Sequence, residues 1–62
     1  MSDTERRKQL LQVLALIDQQ MAEADSLAAE LPDGSADWQG AIEWKEELIA
    51  ARAETNRKLG EL

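Results

Sequence analysis

The chain has 62 residues, a formal charge of −6 and neither cysteine nor histidine. A domain of this length buries only about 60% of the surface its unfolded chain exposes, and disulfides or Cys/His metal sites cannot make up the difference here. Self-association is the remaining ordinary remedy, while the negative charge argues against long-range attraction to nucleic acid or anionic membrane.

The N-terminus, MSDTERRK, lacks the pattern of a secretory leader. No apolar run approaches the roughly 20 residues of a membrane span. A cytoplasmic location without membrane contact is expected.

A first helix is predicted over about residues 3–31. Ser2 followed by Glu5 has capping-box spacing, in which the serine oxygen takes up an otherwise orphan amide of the first turn. Leu10, Leu14, Ile17, Met21, Ala24, Ala28 and Leu31 then recur at alternating steps of four and three, the seam of a coiled-coil-like helix. Val13, Leu16 and Leu27 widen one side of that stripe beyond what a two-stranded seam needs, which points to a helix packed against two neighbours. Leu11 lies off the stripe and is expected to be exposed.

Leu31-Pro32 ends the helix, because proline lacks an amide donor and disfavours helical geometry at the preceding residue. Asp33-Gly34 is a strong turn pair, and Ser35 and Asp37 both have the chemistry to cap a second helix. The elbow is placed at residues 32–37 and the second helix at about 38–59. That helix carries Trp38, Ala41, Ile42, Trp44, Leu48, Ile49, Thr55 and Leu59 over one broad face. Lys45, Arg52 and Asn56 lie within or beside it, as stems covering apolar surface or as selective polar contacts. Two such helices, each on the order of 35–42 Å long, form a hairpin whose outer apolar faces stay wet unless another copy covers them.

The expected fold is therefore all-α: an antiparallel two-helix hairpin that dimerises into a four-helix bundle. The dimer and core set is Leu10, Leu14, Ile17, Met21, Leu27, Leu31, Trp38, Ile42, Trp44, Leu48, Ile49 and Leu59. The tryptophans serve either packing or a partner. Arg6, Arg7 and Lys8 begin the first helix, and Arg52, Arg57 and Lys58 end the second, so a hairpin collects these basic residues at its open end. Asp25, Glu30, Asp33, Asp37, Glu43, Glu46 and Glu47 collect at the elbow. Unlike ends favour an antiparallel pair of hairpins, with charge selecting orientation more than affinity. The plainer reading makes these solvated faces, with Glu54 and Lys58 a routine i,i+4 pair.

No residue set identifies a reaction. Glu43, Glu46 and Glu47 lie outside the apolar stripe and lack the histidines of di-iron bundles. Asp33-Gly34-Ser35-Ala36-Asp37 lacks the ligand series and terminal glutamate of a calcium loop. No catalytic residue, metal or cofactor is expected. The six basic residues at the open end make an RNA-binding regulator the main alternative to a protein-contact role, although phenylalanine and tyrosine for base stacking are absent. An acidic adaptor or antitoxin is a second alternative.

Leu27-Ala28-Ala29-Glu30-Leu31-Pro32, then Trp38, Ile42, Ala53, Arg57, Leu59 and Leu62, resemble the Rop-like family of short helical proteins found with nitrogen-fixation genes. The Asp33-Gly34-Ser35-Ala36 segment departs from that pattern. The resemblance covers the latter half of the chain. It implies a hairpin dimer with an accessory role around nitrogenase or its cofactor assembly, exercised through protein contacts. It carries over no catalytic residue.

Overall fold

The computed structural model describes residues 2–62. They form two α-helices, α1 (Asp3–Glu30) and α2 (Ala36–Gly60), packed against each other as a hairpin. The rod measures 46 × 15 × 13 Å. Neither helix is long and apolar enough to cross a membrane.

Both helix starts depend on single serines. The Ser2 hydroxyl oxygen accepts from the Glu5 amide at 3.2 Å, and the Ser35 hydroxyl oxygen accepts from the Trp38 amide at 3.1 Å. Ser35, not Asp37, is thus the N-cap of α2. Asp37 lies in the first turn, where its charge suits the positive end of the helix dipole. The second helix accordingly starts at Ala36, two residues before the position predicted from the apolar pattern, and runs on through Gly60. The first ends one residue early, at Glu30, because Leu31 before proline is extended, with ψ at 149°.

The elbow is a single tight turn. The Ser35 amide donates to the Pro32 carbonyl at 3.1 Å, and Gly34 sits at the third turn position with φ at 81°. A type II turn requires positive φ at that position, which glycine adopts without steric cost.

Between the helices, Ile17, Ala24 and Leu48 form a buried cluster, with Met21 and Trp44 packed against it. Ala41 and Thr55 are buried as well. Thr55 fits this seam because its Oγ1 donates to the Ala51 carbonyl 2.8 Å away, within its own helix. Along α2 the positions turned toward α1 are Trp38, Ala41, Lys45, Leu48, Arg52, Thr55 and Leu59, all buried or half-buried. They alternate by three and four, so α2 carries the same heptad-like seam as α1, with two basic residues built into it.

Those two basic residues find partners across the seam. Lys45 Nζ lies 2.6 Å from Asp25, and Arg52 Nη1 lies 3.7 Å from Asp18. Asp25 to Asp18 is one heptad backward along α1, and Lys45 to Arg52 is one heptad forward along α2. The pairs therefore mark one antiparallel register at two levels of the rod. Each is substantially exposed and worth about 0–1 kcal/mol, so they guide alignment while the apolar cluster supplies most of the cohesion.

Candidate functional site

The two-helix seam leaves the hairpin with two long flanks of different chemistry. One flank holds both inter-helix ion pairs, and helical spacing puts Leu11, one heptad before Asp18, and Ile42 and Ile49, each three residues before a basic partner, on the same side. The opposite flank is defined by helical spacing: Val13, Leu16, Gln20 and Leu27 are separated by steps of three, four and seven along α1, and Trp44 and Ala51 by one heptad along α2. No inter-helix ion pair crosses this second flank among the described residues.

Exposure separates the residues expected in the core. Ile17 and Leu48 are buried within the hairpin. Leu10, Leu14, Met21, Leu31, Trp38, Ile42, Trp44 and Leu59 are half-buried. Leu27 and Ile49 remain 42% and 43% exposed in the single chain, and Leu11, Val13 and Leu16 are exposed to 52%, 44% and 54%. The fully enclosed position is instead Ala24, at 0%. The pattern named it as part of the stripe, but its small side chain gave no reason to rank it with the large core residues.

Of the six basic residues placed at the open end, two are already engaged inside the chain. Arg52 pairs with Asp18. Arg57 is bracketed by Glu54 and Glu61, with its Nε donating to Glu54 Oε2 at 3.2 Å and its two terminal nitrogens contacting Glu54 and Glu61. The i,i+4 partner expected for Glu54, Lys58, is thus replaced by Arg57 at i+3. The hydrogen bond from Arg57, with its charge and that of Lys58 behind it, outweighs desolvation and holds the Glu54 carboxyl below the usual glutamate range. The same contacts push Arg57 further up. Arg6, Arg7, Lys8 and Lys58 make no ion pair among the described residues.

Charge is therefore graded along the second flank. Arg6 and Lys58 stand at its open end by heptad position, and Glu30 and Asp37 at its elbow end. Between them Val13, Leu16, Leu27 and Trp44 make the middle mostly apolar, with Glu23 and Glu47 along its outer edge. Two shallow surface depressions are each lined by α1 alone, one around Leu27 and the other around Leu11. No group of three or more carboxylates among the described residues is placed to hold a metal ion. The arrangement offers apolar area between two charged ends, which is the chemistry of a docking surface.

No family model, curated protein or solved structure matches the chain.

Proposed function

We propose that this chain is a small non-enzymatic interaction protein that works as a homodimer, two hairpins side by side with their elbows at opposite ends. The observation that carries this reading is the wet apolar surface. Among the described residues, five large hydrophobic side chains stand between 42% and 54% exposed while four apolar residues are buried. A second copy would cover such a face and complete a four-helix bundle. The graded charge supports the orientation, since elbows placed together would bring Glu30 and Asp37 of both copies into repulsion.

The accessory role comes from the resemblance to the Rop-like family: contacts with proteins of nitrogen fixation, around nitrogenase or its cofactor assembly, in the cytoplasm. A second reading, an RNA-binding regulator, is favoured by Arg6, Arg7, Lys8 and Lys58, which their own chain leaves without ion pairs among the described residues. The acidic adaptor or antitoxin rests on net charge alone.

Sedimentation equilibrium at low micromolar concentration tests the pairing, with about twice the chain mass expected and a folded monomer counting against it. Affinity capture from native cells, with and without nuclease, tests the role. Protein partners retained after nuclease support the protein-contact reading, and partners lost with RNA support the alternative.

A further inference from the structure

We infer that the second copy docks on the flank opposite the ion pairs, with the two-fold axis of the pair passing beside Gln20. This assignment rests on the homodimer reading and specifies its surface and register.

The two flanks differ in what covering them would cost. Lys45–Asp25 and Arg52–Asp18 occupy the first, and a helix laid over them would strip water from four charged groups. The flank carrying Val13, Leu16, Leu27 and Trp44 has no inter-helix ion pair to dehydrate, its exposed carboxylates Glu23 and Glu47 standing at the outer edge, and it holds three of the five exposed large hydrophobics. One long side of a rod measuring 46 by 15 Å is of the order of the ~800 Å² per partner that a standard stable interface buries.

Symmetry sets the register. When two hairpins face each other with elbows at opposite ends, the two-fold axis lies across the rods, so α1 packs against α1 and α2 against α2. In an isologous contact, residue i meets j and j meets i. Val13 and Leu27 lie one heptad to either side of Gln20. An axis at Gln20 therefore sets Val13 of each copy against Leu27 of the other, with Gln20 facing Gln20. By the register of the two ion pairs, Asp25 with Lys45 and Asp18 with Arg52, the same axis crosses α2 near Ala50, a small residue that lets the two copies of α2 approach closely.

The charged ends then close the arrangement. Arg6 and Arg7 come level with the acidic elbow of the second copy, at Asp33 and Gly34. All of these groups are exposed in the single hairpin. A polar pair on the symmetry axis fixes register and favours one assembly over others, and Gln20, half-buried in the single hairpin, is in that position here.

The absence of cysteine allows a clean test. Single variants Gln20→Cys, Leu11→Cys and Ile49→Cys, and the double variant Val13→Cys/Leu27→Cys, are treated with a bis-maleimide that spans a helix-to-helix distance of about 8–10 Å. Each is also sedimented untreated. The expected result is efficient covalent dimer from Gln20→Cys and from the double variant, and little from Leu11→Cys or Ile49→Cys. A protein that sediments as a dimer but cross-links through Leu11→Cys or Ile49→Cys, or through none of the four, overturns the assigned face and leaves the dimer reading standing. A dimer that cross-links at Gln20→Cys but not in the double variant overturns the register. A folded monomer at about ten times the low micromolar range overturns both readings and assigns the flank to a different partner.

Discussion

Leu48 and Ile49 are neighbours in sequence on opposite sides of a burial boundary, and replacing each by alanine separates seam packing from surface. Leu48 is 7% exposed and belongs to the cluster with Ile17 and Ala24, while Ile49 is 43% exposed on the flank that holds the ion pairs. Removing three carbons from Leu48 costs about 2.5 kcal/mol in transfer free energy at ~0.8 kcal/mol each. A cavity term adds to this, but Met21 and Trp44 are only half-buried beside it and can relax inward. The total belongs in the lower half of the 2–5 kcal/mol range for such truncations, about 2–3 kcal/mol. In a domain this small each kcal/mol moves the melting point by about 4–8 °C, so Leu48→Ala is expected to melt about 10–20 °C early. Ile49→Ala removes side-chain atoms that already meet water, and is expected to cost under about 1 kcal/mol. Thermal and urea unfolding followed by far-UV circular dichroism, with the fluorescence of Trp38 and Trp44 as a second probe, measure both. Equal losses at the two positions would refute the division between seam and wet flank. So would a Leu48→Ala protein as stable as the parent.

Ser35→Ala removes the hydroxyl that accepts from the Trp38 amide and should cost about 1 kcal/mol, measurable by urea titration, with Ser35→Asp recovering most of it. Gly34→Ala meets no neighbouring atom, yet at φ 81° it should still destabilise by roughly 1 kcal/mol, so a stabilised variant would contradict the turn assignment. Because its folded-state titration is lowered by Arg57, Glu54 supports the last turn of α2 above its unfolded-state value. That support is lost as pH falls through the lowered folded value, so NMR titration should show the Glu54 carboxyl protonating later than an isolated glutamate on acidification, and Arg57→Gln should remove the difference. Raising salt should weaken self-association only modestly, since charge sets orientation while apolar area supplies affinity. A collapse of the dimer at moderate salt, followed by sedimentation, would reverse that ranking.

Much of the hairpin could be read from local chemistry. Pro32, Asp33-Gly34 and the alternating steps from Leu10 to Leu31 each impose a backbone consequence on their own neighbours, and helix, stop and turn fall where those consequences place them. The N-cap of α2 was ambiguous because Ser35 and Asp37 have equivalent capping chemistry, and only the backbone direction at Trp38 separates them. The partners of Lys45 and Arg52 could not be read from spacing along one helix. They depend on how far α2 is shifted against α1, which the elbow and the packed cluster settle together. Ala24 was under-ranked for a related reason: apolar pattern rewards size, whereas close approach of two helices rewards its absence. The flank proposed for docking was visible only as an over-wide stripe through Val13, Leu16 and Leu27, with nothing in one sequence to say what lies against it.

The ion pairs on the other flank have a consequence for growth. A rod with two adhesive sides could add copies indefinitely, stacking into fibres or layers, and many short amphipathic helices risk that outcome. Here Lys45 and Arg52, held by Asp25 and Asp18, keep one side hydrated, so a molecule that uses its bare side has none left to offer. In the proposed pairing, assembly of such rods would terminate at a closed unit, with the acid–base rungs that align the helices acting also as its stop signal.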